Sequence, residues 1–158
     1  MRKRLLLTFT FALLCITTWA QFAPETGKMY AFKEKTSGLY LDIQTLGINE
    51  ANAGGTTNNL SLNKKPCIIY FAAGTTDASK WTMKNVNGTY AMQASSRNWN
   101  ATIGTNAYEW TIAEPETGKF TIARADGKFI NANTTSAGQP LFCDKGTGMQ
   151  FSLVEYSE

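Results

Sequence analysis

The feature that most constrains this chain is a turn-and-aromatic unit that recurs along it. Residues 27–43 read GKMYAFKEKTSGLYLDI, placing Tyr30 and Phe32 on one short strand and Tyr40 and Leu41 on the next, after Gly38. Residues 88–103, GTYAMQASSRNWNATI, place Tyr90 and Met92, then Trp99. Residues 118–133, GKFTIARADGKFINAN, place Phe120 and Ile122, then Phe129 and Ile130 after Gly127. A second marker travels with the first. WTM at Trp81, WTI at Trp110 and FSL at Phe151 share an aromatic-hydroxyl-aliphatic form and are expected to close the successive units. One such unit cannot bury its aromatic face alone, whereas three stacked units can share one core.

Between these markers the apolar residues alternate with polar ones, and Gly, Asn, Thr and Ser interrupt within about eight residues. That pattern predicts many short strands and no helix after the first twenty residues. The sequence reads as one all-β domain over residues 27–158, preceded by a short linker at 21–26. The first unit carries extra residues, IQTLGINEANAGGTTNNLSLNKK at 43–65, rich in Gly and Asn and expected to form a long surface loop or one added hairpin, with Leu46 to Asn59 as its protruding part.

The start of the chain has a different character. Arg2, Lys3 and Arg4 precede an apolar run from Leu5 to about Ile16, and Ala20 stands before Gln21. This is the three-part form of a secretory signal over residues 1–20, with an apolar run shorter than the roughly 20 residues that span a bilayer. Lipoprotein processing at Cys15 ranks second, because Leu14 is not the small residue expected before such a cysteine. The reading is a soluble exported chain without membrane insertion, extracellular or periplasmic, with a bacterial origin preferred.

Charge and composition exclude several function classes. The net charge is +3, but three of the fifteen Lys and Arg lie in the signal, leaving twelve against twelve Asp and Glu. A neutral domain lacks the basic footprint of a nucleic-acid binder. The chain has no histidine, which removes His-dependent triads and His-ligated zinc. No metal site and no cofactor are expected. Cys67 and Cys143 remain after processing, and the sequence leaves open whether they pair or stay as buried thiols. Glu114 and Glu116 flank Pro115 in an expected turn, and Asp126 opens the turn before Gly127. Nothing brings two of these carboxylates across a cleft as a glycosidase requires, so no catalytic residue is assigned. Asn59, Asn87, Asn100 and Asn133 match the glycosylation acceptor pattern, which matters only in a eukaryotic secretory pathway.

In its threefold aromatic register the chain resembles the β-trefoil family, over about Gly27 to Tyr156. The resemblance implies three pseudo-repeats of about four short strands, forming a closed barrel with a hairpin cap. Ricin-type lectin modules are the nearest functional analogy within that family. They imply shallow sugar pockets, one per repeat, built from an Asp, an aromatic platform and an Asn or Gln. Their Gln-x-Trp signature is not present here: Ser79, Tyr108 and Met149 stand two residues before the three aromatics. Asp42 after GLYL, Asn98 and Trp99, and Asn131 after GKFI are the expected carbohydrate-contact residues: short amides and carboxylates give the paired hydrogen bonds that sugar hydroxyls need, and the Trp99 ring offers a stacking face. Tyr70, Tyr108 and Tyr156 fall off the repeated register and are expected to be more exposed. The expected function is a non-catalytic glycan- or polysaccharide-binding module. The alternative is a protein-binding trefoil, a protease inhibitor or host-interaction factor, acting through the loop at 46–59.

Overall fold

A computed structural model describes residues 22–44, 59–93 and 101–157. Among them the protein is all-β without helix, twelve strands joined in one nearly closed, antiparallel, barrel-like sheet. In chain order these are β1 (Met29–Glu34), β2 (Tyr40–Asp42), β3 (Ser61–Asn63), β4 (Ile69–Ala73), β5 (Trp81–Asn85) and β6 (Tyr90–Gln93). They continue with β7 (Ala101–Gly104), β8 (Thr111–Glu116), β9 (Lys119–Ala123), β10 (Phe129–Asn131), β11 (Phe142–Lys145) and β12 (Phe151–Tyr156).

Six strands follow one another round a circuit. β1 pairs with β12 from Met29↔Tyr156 to Glu34↔Phe151 and touches β4 at Tyr30↔Ile69. β4 pairs with β5 from Ile69↔Asn85 to Ala73↔Trp81. A bridge between Trp81 and Trp110, with both amides bonded at 2.9 and 2.8 Å, carries the circuit towards β8. β8 pairs with β9, and Phe120↔Phe151 returns it to β12. The core inside is aromatic and aliphatic: Trp110, Phe32, Phe151, Ile69, Met83 and Ile122 are all fully buried. Trp110 also carries a polar atom into this interior, and its Nε1 donates to the Ala91 carbonyl at 2.9 Å. Without that partner the indole N–H would lose water and gain nothing.

The other six strands form three hairpins, β2–β3, β6–β7 and β10–β11. Their inner residues lean on one another. The amide of Leu60 donates to Ala101, that of Ala101 to Leu141, and that of Leu141 to Leu60, at 2.8, 3.3 and 2.8 Å. All three side chains are fully buried. Each backbone group here lies too deep for water, so the three strands satisfy each other in rotation.

The pairings correct the expected register of the middle unit. Tyr90 pairs with Lys84 and Gly104, as Tyr40 pairs with Lys33 and Asn63 and Phe129 with Ala123 and Lys145. It therefore matches Tyr40 and Phe129, where Trp99 was expected. Trp81 opens a strand and pairs with Trp110, as Tyr30 pairs with Ile69 and Phe120 with Phe151. It is thus the counterpart of Tyr30 and Phe120, not of Trp110 and Phe151. The turns explain the misreading. Gly38, Gly88 and Gly127, at φ of 71°, 87° and 77°, occupy like places in the β1–β2, β5–β6 and β9–β10 turns, where positive φ favours a residue without Cβ. Gly27 and Gly118 also have positive φ, so a turn glycine alone does not say which turn it belongs to.

One other expectation changes, and one question the sequence left open is answered. Glu114, Pro115 and Glu116 lie at the end of β8, where the ladder to β9 shifts register between Ala113 and Glu116. Proline cannot donate to a ladder, and such an irregularity accommodates it. Cys67 and Cys143 are separate, buried free thiols. Burial pushes them up to about 11 and about 12 respectively, away from the reactive thiolate.

Candidate functional site

Asn131 ends β10, and its position fixes a polar cleft of about 400 Å³. The cleft lies between the β10–β11 hairpin, the loop entering β12 and the turn after β1. Asn131, Thr135, Lys145, Gly148, Met149 and Glu34 are among its lining residues. Backbone bonds pin these walls together. The Met149 amide donates to Ile130 at 2.9 Å, and the Lys35 amide donates to Gln150 at 2.9 Å. At Gly148 the chain passes so close to Phe129 that an added Cβ would come within 2.6 Å of that ring's Cβ. Gly148 is therefore required by a close approach, and it keeps this side of the cleft low.

The polar groups of the cleft are mostly held in place by their own neighbours. Asn131 is 5% exposed. Its Nδ2 donates to the Phe129 carbonyl at 3.0 Å and to Asp144 Oδ1 at 2.9 Å. Because both partners are acceptors, the amide can only face this way, and Oδ1 is left as a buried oxygen without a partner. Such an orphan acceptor costs about 1–3 kcal/mol. Glu34 has its oxygens committed: Oε1 accepts from the Thr36 amide at 3.0 Å, and Oε2 from the Ser37 amide and hydroxyl, both at 2.6 Å. Burial alone would push this carboxyl up. The Ser37 and Thr36 donors overcome that and hold it below the usual range.

Asp42, at the end of β2, is buried in a matching way, 3% exposed. It accepts from the Gln44 amide at 2.8 Å and from Asn63 Nδ2 at 2.9 Å. The Asp42–Asn63 pair spans β2–β3 as Asn131–Asp144 spans β10–β11, with acid and amide exchanged. At the same offset from Tyr90 the middle hairpin carries Met92. Asp42 and Asn131 stand on different hairpins and are not brought into one site. Asn98 and Trp99 lie outside the described residues, as does the expected loop from 46 to 58. Asn59, the last residue of that stretch, is buried and bridges to Thr102.

A second cleft of about 370 Å³ gathers Thr75, Thr76, Lys80, Thr82, Tyr108 and Glu109. Tyr108 is half-buried, packed edge-on against Trp110 at 4.9 Å. Burial pushes its phenol up. Glu109 clips the β4–β5 loop to its own: it accepts from the Thr76 amide at 2.7 Å and the Asp77 amide at 3.2 Å. Tyr108 and Met149 both stand two residues before a core aromatic, and each lines one of the two clefts. That spacing was legible in the sequence, but the roles of Glu34, Gly148 and Glu109 were not. Glu34 and Glu109 accept from backbone amides of turns, and Gly148 passes close to the Phe129 side chain, contacts that the residue pattern does not mark.

The expected turn carboxylates are engaged by residues close to them in sequence. Glu114 Oε1 accepts from the Gly118 amide at 2.6 Å, Glu116 pairs with Lys119, and Asp126 pairs with Arg124 at 2.9 Å. No protein-family model matches the chain, and no curated protein is found to be similar to it.

Proposed function

We propose that this protein is a secreted, non-catalytic, glycan-binding module built as a β-trefoil. The trefoil reading is supported by the six-strand circuit and by the rotation of bonds among Leu60, Ala101 and Leu141. Three units sharing a barrel and leaning their hairpins together would require both. Export rests on the N-terminal sequence alone.

The observation that carries the glycan reading is Asn131, which lines the 400 Å³ cleft and bears a buried oxygen without a donor. A sugar hydroxyl is both donor and acceptor. It would supply that oxygen after a small rotation of the amide, and it would accept from Lys145 or a threonine hydroxyl at the rim. Met149 and Ala132 offer apolar surface to the C–H face of the ring. Asp42 would play the corresponding part on its own hairpin, held by Asn63, and Asn98 and Trp99 are proposed as contacts on theirs. A shallow site of this kind binds weakly, and repetition would raise the avidity.

A glycan array probed with residues 21–158, displayed multivalently, tests the reading. The expected result is a defined hit that weakens about tenfold or more in Asn131→Ala, with that variant still giving a cooperative melt. A blank array, or a hit indifferent to both Asn131→Ala and Asp42→Ala, would overturn it.

A further inference from the structure

The oxygen left over on Asn131 follows from the exchange of acid and amide between two hairpins. In β2–β3 the acid, Asp42, is on the first strand and the amide, Asn63, on the second. Asn63 Nδ2 donates to Asp42 Oδ2 at 2.9 Å, and Asn63 Oδ1 accepts from the Lys65 amide at 3.4 Å. In β10–β11 the amide, Asn131, is on the first strand and the acid, Asp144, on the second. Asn131 Nδ2 is held by two acceptors, Asp144 Oδ1 at 2.9 Å and the Phe129 carbonyl at 3.0 Å. A half-turn of the amide would set Oδ1 against both of those oxygens, so that orientation is closed. Asn131 lines the 400 Å³ cleft and Asp144 does not. What a ligand meets at Asn131 is thus an acceptor, and Asp144 decides it from behind.

Resting on the glycan reading above, we infer that Asp144 is a positioning residue that makes this cleft selective for a neutral saccharide with a free hydroxyl at Asn131. A group there that can only accept is rejected, because it would leave two acceptors facing each other without a proton. The lining carries one cation, Lys145, and one carboxylate, Glu34, whose oxygens are already engaged by Thr36 and Ser37. That balance suits an uncharged ligand, since an ammonium or a carboxylate would enter without a spare partner of opposite sign to match both walls. A hydroxyl that donates to Oδ1 must be unsubstituted. The sugar position engaged therefore carries no linkage, and the saccharide is met at a chain end or along an unlinked edge.

Nuclear magnetic resonance on residues 21–158 tests this, with the methyl glycosides of glucose, galactose and mannose as probes, each beside its monodeoxyfluoro analogues. Fluorine is close to a hydroxyl in size but donates nothing. Before any probe is added, the Asn131 side-chain amide protons should exchange about tenfold or more slowly than those of Asn87, which lies exposed in the β5–β6 turn. At least one parent glycoside should shift the Asn131 signal, and fluorine at one of its positions should weaken binding about tenfold. In Asp144→Asn, whose side chain can donate as well as accept, the amide is free to turn. The same fluorine should then cost about threefold or less, with the parent bound within about threefold of wild type. Asp144→Ser, also able to donate, takes its place should Asp144→Asn not fold. A merely structural role would weaken parent and analogue alike and leave their ratio unchanged. An unchanged ratio, indifference to every fluorine, or Asn131 protons exchanging as fast as those of Asn87 would overturn the inference alone. Silence with every parent glycoside would remove the glycan reading and this inference with it.

Discussion

Glu34 shows how much of this molecule is decided by single side chains that the sequence does not advertise. It reads as a charged residue ending a strand, hence solvated, yet it is 3% exposed and caps the turn that follows. Asn85 does the same in the next turn, its Oδ1 accepting from the Asn87 and Thr89 amides. Asp42 and Asn131 were legible by position, because each follows an aromatic strand at one offset. Their burial was not legible, since it depends on Asn63 and Asp144 across each hairpin. The Glu34 carboxyl is held low in the folded protein, so its contribution to stability is present above about pH 4.3, the ordinary glutamate value. That contribution is lost as pH falls through the lower folded value. Glu34→Gln should cost about 1–3 kcal/mol at pH 7 and flatten the acid limb of the stability curve. Chemical denaturation from pH 7 to 3 checks this, and an acid limb equally steep in the variant would contradict it.

At the level of elements, the strands were legible where alternation met a turn glycine, and twelve short strands were expected and found. The pairing of the middle unit was not. Gly88-Thr-Tyr resembles Gly118-Lys-Phe in sequence, but the first closes a β5–β6 turn and the second precedes β9. What separates them is the partner: the Asn85 amide donates to Thr89 at 2.9 Å, as Glu34 does to Leu39 and Arg124 to Lys128. Those are contacts between backbone atoms, and side-chain pattern carries no record of them. The turn role makes a prediction for Gly88. Gly88→Ala would force φ of 87° on a residue with a Cβ, at a cost of about 1 kcal/mol or more. The same change at Gly146, whose added Cβ would meet no atom within 4 Å, should cost less. Comparing the two melts decides it, and equal losses would remove the turn argument.

At the scale of the whole molecule, the chain closes its core twice. The hairpins meet through Leu60, Ala101 and Leu141 at one place, and Phe22 fills among the aromatic rings at another. An all-β chain of short strands was readable from the alternation and the turn residues. Phe22 was not, because residues 21–26 have the composition of a linker and a lone aromatic there has no periodicity to mark it. The proposed binding cleft sits where three parts of the chain distant in sequence converge: the turn after β1, the end of β10 and the loop entering β12. The most direct test of the account is a nuclear magnetic resonance titration of the isotope-labelled protein, residues 21–158, with the saccharide that the array selects. Amide shifts confined to Asn131, Thr135 and the segment from Thr147 to Gln150, and lost in Asn131→Ala, are the predicted result. Shifts clustered elsewhere on the surface, or none at saturating sugar, would contradict it.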